Sequence, residues 1–276
     1  MYRQVTRMRM AMISAAALGV LGATWVSDPG AAAQARQPAP VASVGAARPP
    51  ASPGGTLCAA VRRALGGPTA PAASAIQRTR LTASDAHRGS NFGNSVAISG
   101  DTAVVGAWGW PGNAVGAAYV FVRSGTGWSQ QAKLTAADGG PGDAFGDAVS
   151  ISKGTALVGA FGKDYQTGAA YVFVHSGATW SQQAKLTAAD AARGAAFGWS
   201  VATTGSTALI GAGFDNSKPG AAYVFTRSQT AWSQRVKLVE PGAGFGSSVA
   251  ISGPTAVVGV PYPGGSTGAA WVFAGV

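Results

Sequence analysis

The chain has 276 residues, of which 41 are Gly and only 11% are charged, a composition that argues against a helical protein and for strands and turns. The formal net charge of +10 divides unevenly: residues 1–35 carry +2, residues 36–79 carry +5 and the chain from Arg80 onward carries +3. The basic excess therefore sits in a tail, and a nucleic-acid partner is excluded because it would need a dense basic stripe on the folded part.

In chain order, residues 1–35 read as a secretory signal. Arg3, Arg7 and Arg9 give a basic start, Met10 to Val26 an apolar stretch, and Ala33-Gln34-Ala35 an A-x-A cleavage site. An uncleaved anchor is the alternative, but seventeen residues rich in Ala and Gly fall short of the roughly 20 apolar residues a spanning helix needs. The mature chain is thus expected to be secreted or cell-surface, with no membrane span. Residues 36–75, with seven Pro among Ala, Gly and Ser, read as an extended, disordered linker. Cys58, the sole cysteine, excludes an internal disulfide.

Residues 76–276 repeat themselves. Phe92, Phe145, Phe197 and Phe245 mark one position at intervals of 53, 52 and 48 residues, and Trp128, Trp180 and Trp232 mark another, 52 apart. The units run over about 80–132, 133–184, 185–236 and 237–276. Each predicts four short strands, in the first unit Ser95 to Ser99, Thr102 to Ala107, Gly116 to Val122 and Trp128 to Ala136. The second and third strands are nearly continuous apolar runs, covered on both faces. The fourth alternates Trp128, Gln130, Ala132, Leu134 with Ser129, Gln131, Lys133, Thr135, which suits one buried face at a rim. Gly comes first in three of the four two-residue links between the first and second strands, which predicts type II′ hairpins. The fold class expected is all-β: a β-propeller of four-stranded antiparallel blades. The last unit stops after its third strand, while Ile76 to Ala83 ("IQRTRLTA") matches the fourth-strand phrase "SQQAKLTA". That segment is expected to complete the last blade and close the ring; a relic of a lost upstream repeat is the alternative.

The phrases "FGNSVAISGDTAVVGAWG", "FGDAVSISKGTALVGAFG", "FGWSVATTGSTALIGAG" and "FGSSVAISGPTAVVGVP" resemble the FG-GAP repeat family over residues 80–276. The resemblance implies propeller blades like those of integrin α-subunit heads and of bacterial secreted or surface proteins. It also implies extracellular binding or cell adhesion more than catalysis. Two features depart from the family. Its propellers commonly have seven blades, so four units imply a small ring or the pairing of two chains, a form of self-association. Its integrin-type repeats often carry an acidic calcium loop between the first and second strands. Here that link has two residues and Asp101 is its only acid, whereas calcium needs six to eight oxygens. No metal site and no cofactor are therefore expected.

No catalytic residue is expected either. His87 and His175 stand alone, and Asp85, Asp138 and Asp190 recur in every "LTA-S/A-D" phrase, as turn-stabilising residues do. The repeated Trp128, Trp180 and Trp232 read as packing. The link between the second and third strands is what varies, and a meander brings it to the same end as the link between units. On this end the candidate ligand-binding residues are Trp108, Trp110, Phe161, Lys163, Asp164, Tyr165, Phe214, Asp215, Lys218 and Tyr262. Their aromatic surface with charges beside it suits a protein or glycan ligand. The alternative is a secreted hydrolase or lyase with an acidic pocket at Asp143, Asp164 and Asp215.

Overall fold

Turns of two or three residues join the first strand of each unit to the second, and two-residue turns join the third to the fourth in the first three units. A longer link joins the second to the third, so each unit folds into a meander. The computed structural model describes residues 79–109, 115–213, 219–240, 243–261 and 267–276. The signal and linker, Cys58, Ile76 to Arg78, and the site candidates Trp110, Phe214, Asp215, Lys218 and Tyr262 lie outside the described residues. The first sheet is β1 (Val96–Ser99), β2 (Thr102–Ala107), β3 (Ala117–Ser124) and β4 (Gly127–Leu134). The second is β5 (Val149–Ser152), β6 (Thr155–Ala160), β7 (Ala169–Ser176) and β8 (Thr179–Leu186). The third is β9 (Ser200–Thr203), β10 (Thr207–Ala212), β11 (Ala221–Ser228) and β12 (Ala231–Leu238). The fourth, over the described residues, is β13 (Ser248–Ser252), β14 (Thr255–Val260) and β15 (Ala269–Ala274). Each sheet is antiparallel with its strands in sequence order. These are the blades of a β-propeller.

The register explains the pattern of the fourth strand. In the first sheet Val120 pairs with Ala132 but Phe121 pairs with Gln130, so Gln131 is an extra residue on β4. The second and third sheets slip at the same place. A bulge re-aims the side chain it adds, and here the aim is the next blade. Gln131 Oε1 accepts a hydrogen bond from Trp180 Nε1 at 2.8 Å, and Gln183 Oε1 from Trp232 Nε1 at 2.9 Å. The repeated Trp and Gln thus tie blade to blade at the rim.

The blades stack through apolar faces. Val104, Ala118, Val120 and Leu134 of the first meet Phe145, Val149, Ile151, Val158 and Tyr171 of the second. The same positions recur between the second and third blades, and between the third and fourth. Phe145, Phe197 and Phe245 are sealed from solvent, each edge-on to the aromatic residues of its own β-strand neighbour. Burying such a side chain is worth roughly 1.5–3 kcal/mol, repeated at every position of every interface. The Gly after each Phe has a positive φ, +89° at Gly146 and +90° at Gly198, and a Cβ there would stand 2.2 and 2.3 Å from a carbonyl of the preceding blade. No other residue fits both demands.

The hairpins follow the expected chemistry with one variation. Gly100, Gly205 and Gly253 have positive φ at the first turn position. Lys153 and Gly154 are both positive, as a type I′ turn requires. The closing strand expected over Ile76 to Ala83 is not formed in its described part: Thr79 to Ala83 carry no strand. Leu81 and Ala83 pack on the first blade, against Val105, Tyr119 and Phe121. They sit there as Leu134 and Ala136 sit on the second blade. Among the described residues no helix is long and apolar enough to cross a membrane.

Candidate functional site

The links between second and third strands do meet the links between blades at one end. Gly162 N–H donates to Asp143 O at 3.0 Å, Ala196 N–H to Gln166 O at 2.7 Å, and Ser247 Oγ to Gly213 O at 2.8 Å. Two of the three candidate aromatics described at this end are packed rather than exposed, which corrects the expectation for them. Trp108 is only 8% exposed and Phe161 only 2%. Their rings lie 6.4 Å apart, and Phe161 also stands edge-on to Trp199 at 4.9 Å. An aromatic that follows β2 or β6 directly is carried by the strand back over the neighbouring blade, so it becomes packing rather than a ligand platform. Trp199 was missed because it occupies a position held by Asn94, Asp147 and Ser247 in the other units; a Trp among polar residues was its signal.

Tyr165 differs. It is 77% exposed, in a single helical turn at Lys163–Gln166 whose Asp164, Tyr165 and Gln166 have φ of +49°, +59° and +66°. The left-handed region costs roughly 1–2 kcal/mol per non-Gly residue, and its persistence requires support from the surroundings. That support is visible. Gly168 N–H donates to Lys163 O at 2.9 Å, and Thr167 Oγ1 donates to Asp164 O at 2.8 Å. Lys163 is buried and its Nζ donates to Asp143 Oδ2 at 2.9 Å and to Asp138 O at 2.5 Å. Burial alone would lower the Lys163 pKa, but the Asp143 hydrogen bond and the charges of Asp143, Asp138 and Asp164 raise it instead. The guanidinium of Arg193, from the link between the second and third blades, lies 4.4 Å from the centre of the Tyr165 ring. Lys163 therefore anchors the turn from below, Arg193 steadies the ring, and Asp164 stands exposed beside it.

The recurrent Asp residues have a role the sequence located only roughly. Asp138 accepts from Tyr171 OH and from Lys185 Nζ, both at 2.7 Å. Asp85 does the same with Tyr119 and Lys133, and Asp190 with Tyr223 and Lys237. Each Asp belongs to the link that precedes a blade and holds that blade's third and fourth strands, so it is more than a turn former. Burial would raise the Asp138 pKa, yet hydrogen bonds from Lys185 and Tyr171 with the Lys185 and Lys163 charges hold it at about 2. The Lys133 hydrogen bond, aided by Tyr119, lowers Asp85; Lys237, aided by Tyr223 and opposed by burial, lowers Asp190. A carboxyl depressed below its unfolded value of 3.8 contributes stability above about pH 4 that is lost as pH falls toward 2. Melting followed by circular dichroism should therefore give a level melting temperature down to about pH 4 and a decline below it. Asp138→Asn should flatten part of that decline; a curve parallel to the parent's would show that the latch does not set it.

The opposite end carries the short hairpins that join the first strand of each blade to the second. It holds an open polar groove of about 580 Å³ among the hairpins of the second, third and fourth blades, lined by Lys153, Thr203, Thr204, Ser206, Ser252 and Pro254. His175 lies there against Trp180, with ring centres 5.0 Å apart, in the place where Arg227 covers Trp232. Among the described residues no three of His, Cys, Asp and Glu gather as a metal-binding group.

The model of the FG-GAP repeat matches residues 76–121, 128–173, 180–225 and 232–273. The chain belongs to the FG-GAP repeat family. In this frame an FG-GAP unit runs from the fourth-strand phrase of one blade through the third strand of the next. Each unit therefore straddles a blade interface, and the bulged Gln, the linking Asp and the Phe-Gly pair are all interface parts. A search of curated proteins found no relative. Among solved structures the chain is similar to Saccharomyces cerevisiae Sqt1 at 11% identity, over 67% of this chain and 46% of that one, with a TM-score of 0.42. It is also similar to a mutant of the Aleuria aurantia lectin in complex with alpha-methyl-L-fucoside, at 12% identity over 65% and 57%, with a TM-score of 0.42. The FG-GAP chain thus spans about half the length of each.

Proposed function

We propose that the chain is a non-catalytic binding module, exported by its leader, that presents the link end of its blades to an extracellular protein or glycan. Neither cofactor nor metal enters this reading. The single observation that carries it is Tyr165: an exposed ring held out by three consecutive residues of positive φ, steadied by Arg193 and anchored by the buried Lys163. Backbone strain of this kind clusters at ligand-binding positions. An exposed aromatic face flanked by Arg193 and Asp164 offers stacking and polar contacts together, the mixture that binding hot spots use. The carboxylates of the hydrolase alternative fare less well, because Asp143 is engaged by Lys163.

The test is a screen of the protein against glycans, cell-wall polymers and extracellular matrix proteins. Tyr165→Ala and Arg193→Ala should each weaken any captured ligand about tenfold or more, as loss of a hot-spot contact does. Both should melt within a few degrees of the parent. Binding that survives both changes but is lost when Arg123, His175 and Arg227 are replaced would move the functional end to the opposite, hairpin end of the blades.

A further inference from the structure

We infer that the fourth blade of one copy docks on the first blade of a second copy, each chain lending its Leu81 to Ala83 segment to the shared interface. Val104, Leu157 and Leu209 are equivalent and fully buried, as are Val120, Val172 and Val224, because each faces the following blade. Their counterparts on the fourth blade are Val257, 37% exposed, and Val272, 69% exposed. Facing the other way, Val149 and Ile151 are each 7% exposed against the preceding blade, while their first-blade counterparts Val96 and Ile98 are 68% and 65% exposed. The molecule thus carries both halves of the interface that it builds three times internally, and both are open.

Backbone geometry points the same way. Gly146, Gly198 and Gly246 each press on a carbonyl of the preceding blade, that of Ala117, Ala169 or Ala221. Gly93 keeps the same conformation, φ +92°, with nothing within 4 Å of where a Cβ would stand. The partner position in the fourth blade is Ala269, the counterpart of those three Ala residues. Gly106, Gly159 and Gly211 lie under the next blade's Gly, whereas the nearest atoms to a Cβ on Gly259 belong to Ser248 of its own blade. Small residues and a positive φ kept at a free face are what a further blade requires. Leu81 and Ala83 already occupy, on the first blade, the place that the end of a preceding fourth strand takes on the inner ones. β15 meanwhile has no pairing partner on its outer side among the described residues. A second copy supplies all of this at once, because its first blade brings the matching face and its own Leu81 to Ala83 segment comes to lie at the open side of β15. Such a contact is head-to-tail, and two copies joined at both ends close a ring with no free sheet face.

Light scattering of the full chain should give twice the chain mass, and Val272→Asp should give a single-chain mass with an unchanged far-ultraviolet spectrum. A cross-link reports the contact independently. Ser95 Oγ accepts from Val149 N–H at 2.9 Å across the first inner interface, so Ser248 of one copy should face Val96 of the other. With Cys58→Ser as background, mixing chains bearing only Val96→Cys with chains bearing only Ser248→Cys should give a mixed disulfide-linked pair on a non-reducing gel. Three results would overturn the inference: a single-chain mass for the parent at every concentration, a doubled mass with no mixed cross-link, or a Val96→Cys/Ser248→Cys double variant that bridges within one chain.

Discussion

Phe197→Ala should lower the stability of the folded blades by about 3–5 kcal/mol, the range seen when a fully enclosed Phe is truncated. Phe197 is 1% exposed and stands edge-on to Tyr223 at 5.4 Å and to Phe225 at 6.0 Å. Each such aromatic pair adds roughly 0.5–1.5 kcal/mol beyond area burial, so the loss goes past simple transfer. The cavity would open in the interface between the second and third blades, where Leu157, Val172 and Leu186 face Phe197 and cannot collapse without pulling strands apart. Tyr165→Ala, at a ring 77% exposed, should change stability by no more than about 0.5 kcal/mol. Urea unfolding of the two variants measures the difference. Equal losses would mean that the Phe of the repeat does not lock the blades.

Gly198→Ala should be nearly as damaging although it adds one methyl group. At φ +90° an L residue is strained by roughly 1–3 kcal/mol. The new Cβ would stand 2.3 Å from Ala169 O, a backbone atom fixed at the edge of β7, and forcing such contacts costs about 1–3 kcal/mol more. Gly177→Ala separates the two effects. Its φ is +63°, in the hairpin between β7 and β8, and nothing lies within 4 Å of the added atom. It should therefore show the strain without the collision, about 1 kcal/mol. Denaturation midpoints that fall together for the two variants would remove the collision, and with it the reason that Gly follows every repeated Phe.

Much of this fold is legible in the chain because each unit states its own local physics. Apolar runs such as Thr102 to Ala107, two-residue turns opened by Gly, and the alternation of Trp128 to Leu134 depend on neighbours in sequence. The fourfold recurrence then implies stacking, since no single meander can bury both faces alone. The end of the molecule that varies was legible for the same reason, from loops differing while strands agree.

What the sequence could not decide are matters of which surface meets which. Trp108 and Tyr165 look alike in a string, both aromatic residues in variable links. Only the course of the chain makes Trp108 packing against Phe161 and holds Tyr165 out on a strained turn. Asp138 reads as a turn former, but its reach to Tyr171 and Lys185 spans more than 30 residues and exists only once the next blade has docked. The fate of the two end faces is likewise absent from the pattern. Val272 is written as Val120 and Val172 are, and its burial depends wholly on whether another blade lies beyond it. Local sequence determined the blade and its repetition; tertiary packing decided which similar residues become core, latch, exposed ring or open face, because burial belongs to neighbours in space.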